Sequence, residues 1–234
     1  MRRTSAWIIA RSHLQPNRQT TFSTGASGAS NFDFYLARAD RHNPALNAIV
    51  VWQIDQARER ARAADAALAR GERWGPLHGI PMTVKESFNL AGLPTTFGNP
   101  QWKDNIATGN AFLIDRLLQA GAIVFGKTNV PYMLADAQSY NDIYGTTNNP
   151  WDLTRSPGGS SGGEAATLVA GLSALGAGSD IAGSLRHPDR AGCGRDDVCT
   201  RSGQGRDGDL EVRRIGDQLV DDPDRLGRGS GSRL

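Results

Sequence analysis

Apolar residues along this chain fall into two kinds of run, one spaced as on a helix and one short and unbroken. In NFDFYLARADRHNP, Phe32, Tyr35, Leu36 and Ala39 recur at helical spacing, and Pro44 forbids helix beyond it. LNAIVVW is a short β-branched run that predicts a strand. Ile54 to Arg70 is rich in Ala and Arg and stops at Gly71, the pattern of an exposed helix. GIPMTVKES alternates Ile80, Met82 and Val84 and reads as a strand that delivers Lys85 at its end. TGNAFLIDRLLQAG turns Phe112, Leu113, Leu117 and Ala120 toward a core and ends at Gly121. AIVF follows as a buried strand. SSGGEAATLVAGLSALG predicts a helix, with Ser161 and Glu164 spaced as an S-x-x-E capping box. ALGAGSD predicts one more strand with a Gly-rich turn after it. Helices alternating with buried strands define an α/β domain that begins near Asn31.

Composition changes this picture at the two ends. The 234 residues suffice for a sizeable core, and 38% hydrophobic with 21% charged residues suits a globular protein. From Pro188 to Leu234, however, 27 of 47 residues are Arg, Asp or Gly. A segment of that kind buries too little apolar surface to offset its ordering entropy, so disorder is expected over 189–234. Residues 1–30 carry Arg2, Arg3, Arg11 and Arg18 with no acid before Asp33. That pattern resembles a transit peptide, and a disordered or atypical start is the competing expectation. A net charge of +2 argues neither for nucleic acid nor for a membrane surface, and no apolar run reaches membrane-spanning length. Cys193 and Cys199 form neither a disulfide framework nor a metal-binding pair, which points to a reducing, cytoplasmic setting.

Two motifs suggest chemistry and are weighed against their surroundings. GAIVFGKT, residues 121–128, spells the G-x-x-x-x-G-K-T phosphate loop. Such a loop must present backbone amides to an anion and then open a helix. Here the intervening residues are Ala122, Ile123, Val124 and Phe125, which favour a strand, and Pro131 arrives where the helix would begin. The match is therefore a strand exit, with Lys127 and Thr128 expected in a loop near a site. Residues 158–162 also fit a G-x-S-x-G nucleophile elbow, as does the register one residue on. The only histidine after that motif is His187, so a Ser-His-Asp triad has no well-supported base.

A serine can instead be activated by a lysine held neutral. An ordinary lysine has a pKa of about 10.4 and must be lowered to about 7 by burial and its neighbours. Lys85, leaving an apolar strand, is the right kind of lysine, but an ordinary lysine paired with Glu86 or a distant acid is the reading that composition alone favours.

Four blocks then carry a resemblance: GPLHGIPMTVKESFNLAGLPTTFGN, GAIVFGKTNVPYM, YGTTNNPWDLTRSPGGSSGGEAA and GSDIAGSLRHP. In this order, from about Asn31 to Pro188, they resemble the amidase signature family. The resemblance implies a mixed sheet flanked by helices, the N-terminal part of that family's fold. It implies Lys85 as catalytic base, Ser160 as a bridging serine at a cis peptide, and Ser184 as nucleophile. The backbone amides of Ile181, Ala182 and Gly183 would hold the oxyanion, although family members usually have Gly where Ala182 stands. Asp180 and Arg186 would brace the loop. The implied activity is hydrolysis of a small carboxylic amide through a serine acyl-enzyme, without metal or cofactor, nucleic acid or membrane. The glutamyl-tRNA amidotransferase A subunit is the alternative within the family. Family members are about twice as long, and the change after Pro188 resembles a truncation or frameshift, so an inactive remnant is the other alternative.

Overall fold

The computed structural model describes residues 28–180 and Ser184 throughout, and residues 5–11 and 212–215 as backbone strands. The rest of both ends, including Arg186, His187, Cys193 and Cys199 and most of the two segments expected to be disordered, lies outside the described residues.

Six strands form one mixed sheet. They are β1 (Ser5–Arg11), β2 (Ile49–Trp52), β3 (Pro81–Lys85), β4 (Ile123–Thr128), β7 (Leu175–Asp180) and β8 (Val212–Ile215), in the order β2-β4-β3-β7-β1-β8. The centre is parallel, with β3 between β4 and β7, while β2 and β1 flank it antiparallel and β8 pairs parallel to β1. A small hairpin, β5 (Tyr140–Asn141) with β6 (Gly145–Thr146), stands apart. Strands β1 and β8, adjacent at one side of the sheet, have no counterpart in the strands that the apolar pattern predicts.

Helices cover both faces, which is why β3 and β4 are buried along their whole length rather than alternately. On one face, α1 (Gly28–Leu46), α2 (Ile54–Ala69) and α4 (Gly162–Val169) pack Phe32, Leu36, Ala57, Ala61 and Ala166 against Ile123 and Phe125. On the other, α3 (Phe112–Gln119) packs Ile114 and Leu117 against Met82, Val84, Val124 and Ala177.

Several elements depart from the pattern-based expectation, each for a local reason. Helix α1 starts at Gly28 and continues past Pro44 to Leu46. Proline there leaves the carbonyl four residues back without its helical donor, but Asp40 is exposed and water can take that role. Helix α2 is not simply exposed. Ala57, Ala61, Ala64 and Ala67 make a buried stripe, and small side chains let it lie close to the sheet. Phe112 points outward at 74% exposure under the Arg116 guanidinium, so the buried face of α3 is Ile114 and Leu117 instead.

The phosphate-loop spelling is resolved by packing. Ile123 to Thr128 is strand, and Lys127 and Thr128 are fully buried in it rather than in a loop. Gly121 has φ of 96°, and a Cβ there would lie 2.7 Å from the His78 backbone. At Gly126 a Cβ would meet the Ile49 side chain of β2 at 2.7 Å. Both glycines are explained by close approach of chain segments. Lys127 Nζ donates to the Pro94 carbonyl and, at 2.9 Å, to Thr95 Oγ1, so it is committed to the segment that follows β3.

A register shift in β4 decides which of its side chains share a face with Lys85. Met82 pairs with Val124, but Thr83 pairs with Gly126, Val84 with Lys127 and Lys85 with Thr128. The extra residue is a β-bulge, and it reverses which side of the sheet each later residue of β4 faces. Thr128 thereby joins the side of Thr83 and Lys85, beneath α4, while Lys127 joins that of Val84.

Candidate active site

Strand β3 ends in Lys85 because Pro81 to Val84 are apolar or small and make the centre of a buried sheet. The lysine cannot reach solvent and is fully buried. Its Nζ donates to Ser160 Oγ at 2.7 Å and to Ser179 Oγ at 3.1 Å, with the Ser179 carbonyl at 3.4 Å. Ser160 follows a cis Gly159–Ser160 peptide bond in the turn that leads into α4. That turn is packed tightly. A Cβ at Gly159 would be 2.2 Å from the Gln138 carbonyl oxygen.

Ser184 is half-buried. Its hydroxyl donates to the Ser179 carbonyl and lies 3.2 Å from Ser161 Oγ, which itself donates to the same carbonyl at 3.1 Å. Among the described residues these are its hydrogen-bond partners, and Ser160 is not one of them. The structure thus brings Lys85, Ser160 and Ser184 into one cluster, joined through Ser179 and Ser161.

The amidase family profile matches residues 32–193 of this chain. The chain belongs to the amidase signature family. An acylamidase of Rhodococcus erythropolis is 48% identical over 153 residues, covering 65% of this chain and 32% of that protein. The A subunit of the glutamyl-tRNA(Gln) amidotransferase of Acidothermus cellulolyticus is 41% identical over 154 residues, covering 66% of this chain and 30% of the relative. Among solved structures, fatty acid amide hydrolase aligns with a TM-score of 0.67 at 35% identity, covering 70% of this chain and 29% of the other. The chain spans about a third of the length of the curated relatives it matches.

Within this family member, the electrostatics of the cluster follow from burial. Burial lowers the Lys85 pKa to about 7, against the opposing pull of Asp180 and Glu164, whose negative charge favours the ammonium form. Glu164 is also fully buried, and burial raises its pKa to about 7, opposed by hydrogen bonds from Thr83 and Thr128 and by Lys85.

Two features of the cluster differ from what spacing suggests. The capping box does not form: Ser161 makes no side-chain cap bond to α4, and its hydroxyl serves Ser179 and Ser184 instead. Glu164 reaches into the sheet, accepting from Thr83 Oγ1 at 2.6 Å and Thr128 Oγ1 at 2.9 Å. Ser179 is the residue that sequence reasoning passed over. Its only signal is its place in GSDIAGS, at the end of the strand next to β3. Ile181, Ala182 and Gly183 lie outside the described residues. Asp180 is buried at the end of β7. Among the described residues, both histidines are held away from the serine cluster's hydrogen bonds. His78 is held by Trp74 N–H and the Ala64 carbonyl, and His42 is buried in α1. Among the described residues, no His, Cys, Asp and Glu cluster could hold a metal ion, and no helix is long and apolar enough to cross a membrane.

Proposed function

We propose that this chain hydrolyses a small carboxylic amide to an acid and an amine or ammonia, with Ser184 as nucleophile, Ser160 as proton relay and Lys85 as base. The observation that carries the reading is the 2.7 Å contact between Ser160 and a fully buried lysine whose pKa is lowered to about 7. A lysine in that state is neutral in a useful fraction at physiological pH, and its lone pair can accept a proton.

In the neutral amine the contact reverses, and the Ser160 hydroxyl donates to Nζ. The Ser184 hydroxyl leaves the Ser179 carbonyl, gives its proton to Ser160 as Ser160 gives its own to Lys85, and its oxygen bonds to the amide carbon. The carbonyl oxygen becomes an oxyanion, for which the backbone amides of Ile181, Ala182 and Gly183 are the proposed donors, each worth roughly 10²–10³ in rate. As the C–N bond breaks, the proton returns through Ser160 to the leaving nitrogen. Water then attacks the Ser184 ester and its proton passes through Ser160 to Lys85, and the same proton returns through Ser160 to Ser184 Oγ as the ester C–O bond breaks and the acid departs. Every proton is moved by side chains of this chain.

The test uses the full chain and a fluorophosphonate probe, which reacts covalently with an activated serine. Labelling at Ser184 that is lost in Lys85→Ala supports the reading. Labelling that survives Lys85→Ala, or amide hydrolysis that survives Ser184→Ala, ends it. The 41% identity to an amidotransferase subunit favours a second reading, that the chain releases ammonia within a larger assembly. Copurification with partner subunits and a tRNA would favour it over free hydrolysis.

A further inference from the structure

The whole sequence contains three lysines, Lys85, Lys103 and Lys127, among 26 basic residues, so 26 − 3 = 23 are arginine. Arginine stays charged at any relevant pH, whereas a lysine can lose its proton when buried. Two of the three lysines are fully buried on neighbouring strands. The bulge in β4 puts their side chains on opposite sides of the sheet. The acids that bear on each therefore differ: Glu86 on Lys127, and Asp180 of β7 with Glu164 of α4 on Lys85.

Glu164 is built into its position. Its carboxylate accepts from Thr83, two residues before Lys85 on the same face of β3, and from Thr128, the residue of β4 paired with Lys85. On the third side is Gly176 of β7, paired with Thr83, where a Cβ would come within 2.0 Å of Glu164 Oε1. Two hydroxyls and a missing side chain thus make a fitted seat for one carboxylate beside the base. A helix that needed only packing here would carry an apolar residue, since an acid buried without a full cation bond is costly.

We propose that Glu164 is a positioning residue that sets the proton affinity of Lys85. The inference rests on the proposed role of Lys85 as base. Ionised, Glu164 holds the lysine in its ammonium form; protonated, it releases the lysine to the neutral form that accepts a proton from Ser160. The two groups titrate as a pair, and the base is competent in every state in which Lys85 is neutral. Asp180 acts in the same direction from β7, and Thr83 and Thr128 carry no charge of their own.

Three lysines make the test direct. In the full chain with ¹³Cε-labelled lysine, three resonances are followed against pH and assigned by the loss of one signal each in Lys85→Met and Lys127→Met. Glu164→Gln removes the negative charge, so the Lys85 midpoint falls by about one pH unit or more, a tenfold loss of proton affinity. Lys127, on the other side of the sheet, keeps its midpoint and reports that the fold is intact. An unmoved Lys85 midpoint in the folded variant overturns the proposal. If the variant does not fold, ¹³Cδ-glutamate labelling of the unaltered chain, which has five glutamates, decides instead. Glu164 and Lys85 then show two shared inflections, and independent single steps overturn the proposal. Failure of the base role itself appears separately, as hydrolysis that survives Lys85→Ala whatever the titration gives.

Discussion

Ser160 and Ser161 are chemically identical neighbours, yet the turn gives them different work. Ser160 meets Lys85, whereas Ser161 ties Ser184 to the Ser179 carbonyl. Removing a proton relay typically costs about 10²–10³ in kcat, and that is the loss expected for Ser160→Ala. Ser161→Ala loosens only the resting position of Ser184 and is expected to cost less than about tenfold. Steady-state kinetics on the two variants check the assignment, and a larger loss at Ser161 would reverse the two roles. The pH dependence has a definite sign. The base must be neutral, so kcat/KM rises as pH increases through about 7 and then levels. A rate that falls across that range would exclude Lys85 as base.

At the level of elements, the strands and helices that depend on local pattern were legible: β2, β3, β4 and β7 all fall where apolar runs place them, as does the existence of α1 to α4. Lys85, Ser160 and Ser184 were legible only through the family resemblance, because nothing in their spacing says that they meet. Contacts that depend on the register between strands were not legible. No local signal marks the bulge in β4, so Lys127 and Thr128 were expected in a loop. Likewise S-x-x-E is a sound local cap, but the buried hydroxyls of Thr83 and Thr128 outcompete the helix end for Glu164. Seating that carboxylate against Gly176 leads to a stability test. Gly176→Ala forces Glu164 or β7 to shift and is expected to cost about 1–3 kcal/mol. Gly109→Ala, with nothing within 4 Å, is expected to stay within about 0.5 kcal/mol. Urea unfolding of both variants checks the contrast. The strand assignment of Lys127 also predicts that the chain binds no ATP, measurable by calorimetry, since its amine is already bonded to Pro94 and Thr95.

Across the whole molecule, buried ionisable groups shape stability in an unusual way. Lys85 and Lys127 have folded pKa values lowered to about 7 and about 8, whereas an unfolded lysine keeps its proton to about pH 10.4. Between those limits the unfolded chain binds more protons, so rising pH stabilises the fold by about 1.4 kcal/mol per pH unit for each lysine. Glu164 has the opposite linkage: its folded pKa is raised to about 7, so its contribution is present below the unfolded value and is lost as pH rises through 7. These three groups together place a stability minimum near neutrality. Urea unfolding at pH 8 and pH 10 is expected to show the rise, and Lys127→Met to flatten it by one lysine's share. An equal slope in that variant would contradict a buried amine at position 127.

The same scarcity of lysine has a practical side. An amine-reactive reagent attacks uncharged amines, and the two side chains readiest to be uncharged are sealed inside the sheet, leaving Lys103 as the lysine exposed to it. Of the three lysines, a dye or a resin therefore couples at Lys103 and spares the two buried ones. Any label that appears at Lys85 must have entered while the sheet was open. Its rate of appearance is a clock for how often the protein breathes.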